Sequence, residues 1–167
     1  MKRYIKSETL TMDTSLTRNK KYELTDETIN VEGHTLHRIR ALVNFDIISA
    51  GDHGGFVESY ENLSQDGNCW VGDDAKVYED GVVYDDAWVY GYAKVYGNAD
   101  VYGCSSVHEY AEVYENAEVY EDAEISEYAC VHGTASACGD SYVHGDADVY
   151  GSAYLSSGDY YSGTIDE

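Results

Sequence analysis

The stretch Ala87-Trp88-Val89-Tyr90-Gly91-Tyr92-Ala93-Lys94-Val95-Tyr96-Gly97-Asn98-Ala99-Asp100-Val101-Tyr102-Gly103 repeats one six-residue unit: a small side chain, a variable one, valine, tyrosine and a two-residue corner. The same beat runs without insertion from Cys69 to Leu155. It gives fifteen hexads anchored at Val71, Val77 and every sixth residue after, with Ile125, Ala137 and Leu155 the departures from valine. Two residues before each anchor stands Ala, or else Cys69, Gly81, Ser105 or Ser141. A fixed short period of this kind marks a parallel β-helix and takes precedence over local propensity.

Two inward positions separated by one outward position require extended chain, because side chains alternate faces along a strand. The residues that follow, such as Tyr96-Gly97-Asn98 and Tyr84-Asp85-Asp86, are of corner type. One hexad is therefore one short strand and one corner. Three hexads close a triangular coil, so fifteen make about five coils and a prism about 24 Å long. A helix is excluded, since a period of six does not hold one face of a 3.6-residue helix.

These hexads resemble those of the left-handed β-helix proteins. The lead-in Gly51-Asp52-His53-Gly54-Gly55-Phe56-Val57-Glu58, followed by Asn62-Leu63-Ser64-Gln65-Asp66-Gly67-Asn68-Cys69-Trp70-Val71, looks like that of small hexapeptide-repeat proteins carried by phages and prophages. The resemblance implies left-handed coils. The fold expected is all-β: a left-handed parallel β-helix, or triangular solenoid, with a small N-terminal β-hairpin cap.

The rest of the chain divides around the solenoid at 69–157. Residues 1–20 are polar and read as a flexible or partner-dependent arm. Residues 21–68 read as a cap and connection: a hairpin turning at Glu32-Gly33-His34, a short strand over Phe45 to Ile48, and a Gly-rich link from Gly51 to Gly67. Capping is the expected role, because an open solenoid end exposes unpaired strand edges. Residues 158–167 read as a tail. No apolar run is long enough to span a membrane, and the basic opening Met1-Lys2-Arg3-Tyr4-Ile5-Lys6 leads into no apolar signal core. Cys69, Cys104, Cys130 and Cys138 lack Cys-x-x-Cys spacing, so reduced thiols and a cytoplasmic location are expected.

Charge carries the functional reading. The net charge is −22. Residues 1–62 hold eight of the ten basic side chains, and 63–167 hold twenty-two acids against Lys76 and Lys94 alone. Over the expected prism that is roughly one negative charge per 1.2 Å, against one per about 1.7 Å for B-DNA. Acidic corners also serve solubility and oppose end-to-end stacking. The basic N-terminal third argues against a proteome-wide acidic bias.

Folding the hexads onto three faces locates the candidate surface. The third face, on Val83, Val101, Val119, Ala137 and Leu155, stacks Tyr84, Tyr102 and Tyr120 beside Asp100 and Glu118. Its corners add Glu79, Asp80, Asp85, Asp86, Glu115, Glu121 and Asp122, with no basic residue. Acids would pair with a partner's Arg and Lys, and tyrosines would offer rings for those cations. The second face carries Tyr78, Tyr96, Tyr114, His132 and Tyr150, interrupted by Lys76 and Lys94. The first carries Trp70 and Trp88 and is a candidate for packing on the cap or on another copy.

The function expected is a non-catalytic phage-type inhibitor. It would act as an acidic DNA or RNA mimic in the basic groove of a host defence nuclease, a CRISPR effector or a restriction enzyme, with no cofactor and no metal. One alternative is the acyl-coenzyme A transferase chemistry that the resemblance implies, in which trimers place a His at the subunit interface. Here, however, His108, His132 and His144 occupy ordinary tyrosine slots, and no loop breaks the hexads. A structural or assembly role is the other. His108 and His144 lie two coils apart on one face and His132 on another, so one chain cannot bring the three onto one zinc. Direct nucleic-acid binding is disfavoured by the same charge.

Overall fold

A computed structural model describes residues 20–166. Among them every element is a strand, and no helix is long and apolar enough to cross a membrane. Strands β1 (Tyr22–Val31) and β2 (His34–Ala41) form an antiparallel hairpin. Glu32 and Gly33, with φ of 53° and 100°, supply the two left-handed residues that a tight hairpin turn needs. Strand β3 (His53–Val57) joins two architectures, pairing antiparallel with β2 and parallel with Lys76–Val77 of the solenoid.

From Trp70 to Val131 each hexad contributes a two-residue strand whose second member is buried, and the later hexads merge into the longer strands Ser136–Val149 and Tyr154–Ile165. The strands pair in parallel eighteen residues apart, as in Trp88↔Ser106, Lys94↔Glu112 and Asp100↔Glu118. Three such columns wind into a β-solenoid. Its interior is a column of Val anchors and Ala spacers, all but sealed from solvent.

The coils outrun the unbroken hexads at both ends. Leu63 bridges Val83 and Val57 pairs with Val77, each twenty residues apart, so a first coil precedes Cys69 with two extra residues before Trp70. At the other end Tyr154–Ile165 is a strand, in parallel register with Ser136–Val149. Its pairs shorten from Ala137↔Leu155 to Val143↔Tyr160 and Val149↔Ile165, one residue lost at each corner. Residues 158–165 therefore complete a coil where a tail was expected. The solenoid has about six coils, not five. At about 4.8 Å per coil it is about 29 Å long, which dilutes the charge to roughly one per 1.4 Å, still denser than B-DNA. Phe45 to Ile48 form an isolated bridge, not a strand. Of the expected arm, residues 1–19 lie outside the described residues.

One corner position governs the surface. The residue two past each anchor, from Asp73 to Gly151, has φ between 50° and 74°. That left-handed conformation costs an ordinary L-residue about 1–2 kcal/mol. Glycines and acids share these corner columns, and at four steps the carboxylate above accepts a hydrogen bond from the glycine N–H below. Asp73 accepts from Gly91 at 3.0 Å; Glu79, Glu115 and Glu121 accept from Gly97, Gly133 and Gly139 at 2.8 Å. At Gly97 a Cβ would fall 2.7 Å from the Glu115 nitrogen, so glycine there also relieves a close approach of the next coil.

The cap is fastened by its own cations. Lys21, 4% exposed, donates to the carbonyl oxygens of Asp66, Gly67 and Cys69 at 3.3, 3.4 and 2.9 Å, and to Cys69 Sγ at 3.1 Å. The Tyr22 hydroxyl donates to the Leu63 carbonyl at 2.6 Å. Trp70 is buried edge-on against Tyr22 and Phe45, so the cap covers the upper part of the first face and Trp70 cannot serve a second copy.

Candidate functional site: an acidic face with a tyrosine column

Leu63, Val83, Val101, Val119, Ala137 and Leu155 stack inward along the third face. This register brings the expected residues together. Tyr84 and Tyr102 stack at 4.8 Å with planes 4° apart, and Tyr102 and Tyr120 at 5.0 Å and 7°. Asp100 and Glu118 are direct neighbours across one strand pair. Glu79, Asp80, Asp85, Asp86, Glu115, Glu118, Glu121 and Asp122 are exposed, while Asp100 and the three tyrosines are half-buried.

Geometry assigns these groups different work. Glu79, Glu115 and Glu121 each spend one oxygen on a corner N–H. Asp86 accepts from the backbone and side-chain nitrogens of Asn68 at 3.1 and 3.0 Å. Glu118 accepts from the Tyr102 hydroxyl at 3.4 Å. That contact follows a rule of the fold, in which the aromatic after an anchor reaches the acid before the anchor one coil on. Tyr96 to Glu112, His108 to Glu124 and His132 to Asp148 repeat it, each at 3.0 Å. Two solenoid histidines are thus rungs of aromatic ladders, His108 on Tyr90 and His132 on Tyr114, while His144 stacks on Tyr142 of its own strand. Among the described residues no three His, Cys, Asp or Glu converge as metal ligands. The four cysteines are free thiols, with Cys69 and Cys138 buried.

The ring stacking changes one expectation. Neighbours cover both faces of Tyr102, so its edge and hydroxyl are what reach solvent. A partner's guanidinium cannot lie along the column and can reach a ring face only at its ends.

The described Arg and Lys side chains are engaged away from this face, and two histidines meet its corner acids: His34 Nε2 lies 3.5 Å from Glu79 and His132 Nδ1 3.7 Å from Glu115. Arg38 holds Glu27 and Asp74 at 2.8 and 3.3 Å, and Arg40 holds Glu23. Lys94 meets Glu112 at 2.7 Å, and Lys76 donates to the Asp74 carbonyl at 2.8 Å. Lys20 lies 4.4 Å over the Tyr60 ring. The acids of the third face consequently repel one another. Burial, and then the facing Glu118, raise the Asp100 carboxyl above its usual value.

The tyrosines feel the same field. Burial and neighbouring carboxylates push the Tyr78 and Tyr84 phenols up to about 12; burial, then Cys130 and nearby carboxylates, does the same for Tyr114. An unfolded tyrosine ionises near 10. The folded state holds these protons longer, so their stabilising contribution is intact below pH 10 and drains as pH climbs towards about 12. Titration should therefore show ladder phenols ionising together with loss of β circular dichroism in that window. Complete ionisation with the dichroism unchanged would contradict it.

Sequence reasoning missed a third aromatic column, Tyr92, Tyr110 and Tyr128, stacked at 5.1 Å along an exposed corner. The eighteen-residue spacing of these tyrosines was the available signal. It also missed a cavity of about 700 Å³ on the first face, beneath the loop from Asp46 to His53. No protein-family model and no curated protein matches this chain.

Proposed function

We propose that the chain is a non-catalytic binding protein whose third face imitates a polynucleotide and occupies the basic groove of a nucleic-acid enzyme, as a phage-type inhibitor of a defence nuclease would. The observation that carries this reading is an acidic face that no described Arg or Lys neutralises. Asp100 and Glu118 are held side by side at a cost, while the described Arg and Lys side chains are tied up elsewhere. A surface needed for solubility alone would intersperse the two signs, which is cheaper. Ladder hydrogen bonds hold the acids on a rigid frame, so little side-chain entropy is lost on binding.

Acyl transfer from coenzyme A fits less well. Its phosphates call for Lys or Arg, and Lys76 and Lys94 already have partners. The large cavity is lined by Asp46, Asp52 and Asp73, with neither lysine nor arginine.

The test is capture of proteins from a bacterial lysate on the immobilised chain at low and moderate salt. Replacement of counterions makes such a complex steeply salt-dependent, by about a thousandfold or more between 50 and 200 mM for six or more contacts. A basic nucleic-acid enzyme that elutes in this interval supports the reading. Capture indifferent to salt opposes it.

A further inference from the structure

The first-face cavity arises where the outward columns lose their large side chains. In one column Gly72 precedes Tyr90 and His108; in the other Trp70 and Trp88 precede Ser106. Tyr90 stacks on His108 at 4.7 Å, and its other face looks towards Gly72. Trp88 is half-buried, with the small Ser106 on the next coil. Gly72 has no backbone reason to be glycine. Its φ is not positive, and a Cβ would stand 3.4 Å from Tyr90 Cβ and 3.7 Å from Trp70 Cδ1, ordinary contacts. What the missing side chain provides is space.

Over that space hangs the loop that carries Ile47, 78% exposed, and Ile48. The walls are therefore two indoles, a phenol and two isoleucines, and His53 and three carboxylates, Asp46, Asp52 and Asp73, stand among them, Asp52 accepting from the Ser49 N–H and Asp73 from the Gly91 N–H. The neighbouring Arg38 does not neutralise them: it is committed to Glu27, Asp74 and the carbonyls of Gly54 and Asp73. Aromatic faces beside carboxylates that no lining Lys or Arg neutralises select a cation with an apolar body.

From this geometry we infer that the cavity binds a small organic cation, an alkyl- or arylammonium, on Tyr90 and Trp88 with its charge towards Asp46 and Asp73. The inference does not depend on the polynucleotide-mimic reading, since no macromolecule enters its test. The chain's two tryptophans, Trp70 and Trp88, both line the cavity, so intrinsic fluorescence reports on it directly. The full chain is titrated with benzyltrimethylammonium, with neutral benzyl alcohol and with benzoate at constant ionic strength. The expected result is saturable binding of the cation about tenfold tighter than the alcohol, and no binding of benzoate. Gly72→Tyr, which places in this coil the residue the next coil carries, should abolish the response with the β dichroism intact. Asp73→Asn keeps an acceptor for the Gly91 N–H and should reduce the preference for the cation several-fold. Equal binding of cation and alcohol, no saturable response to the cation, or full binding by a folded Gly72→Tyr chain would overturn the inference.

Discussion

Converting Asp86, Asp100, Glu118 and Asp122 to their amides is expected to weaken capture of the basic partner by roughly a thousandfold while leaving the chain as stable as before, or more so. Each exposed or half-buried pair formed with a partner's Arg or Lys contributes about 1 kcal/mol. Four together make about 4 kcal/mol, which is the thousandfold. The stability half follows from the sign of the Asp100 shift. A carboxyl whose pKa is raised by folding contributes stability below its ordinary value and loses it as pH rises through the raised one. At neutral pH the ionised form is therefore a burden, and the amide removes it. Amides also keep the oxygens that accept from Asn68 and Tyr102. If the acids were there for the fold, the same four changes would lower the melting temperature. A chain equally stable but still captured at full strength would mean that a different face binds.

Lys21→Met should be the most damaging single change in the cap, lowering stability by about 3 kcal/mol. The methionine keeps the aliphatic stem but leaves the inward carbonyls of Gly67 and Cys69 without the ammonium donor. A buried acceptor stripped of its partner costs about 1–3 kcal/mol. The loop that Lys21 secures contains the two extra residues of the first coil, and it holds the hairpin over the open end of the solenoid. A chain of this size should lose roughly 10 °C in thermal unfolding. A loss below about 1 °C would mean that water serves those carbonyls equally well.

How far the sequence could be read depended on whether a feature repeats. Val89, Val95, Val101 and their Ala partners announce strand, corner and face together, because each anchor meets the same neighbours one coil on. The first coil escaped notice because Asp66-Gly67 lengthens the step from Leu63 to Val71, and the last because Tyr160 arrives one residue early and Ile165 two. Composition had no means of revealing either. The third-face acids and tyrosines are a consequence of period and so were legible as a group. The division of labour within the group was not. That Glu79, Glu115 and Glu121 brace glycine corners depends on a left-handed φ at the same hexad position, and hexads with Gly there hid the role of those with Glu. The ring faces of Tyr102 looked available until the stacking distance closed them. The cavity escaped because its roof, the loop from Asp46 to His53, lies outside the repeat.

A partner that takes the third face for a polynucleotide must bind the two in competition. The captured partner, held on the immobilised chain at low salt, is challenged with excess double-stranded DNA or RNA. The expected result is release, with the polynucleotide and the acidic face excluding each other from one basic groove. A partner that stays bound to the chain while it also binds the nucleic acid would contradict it.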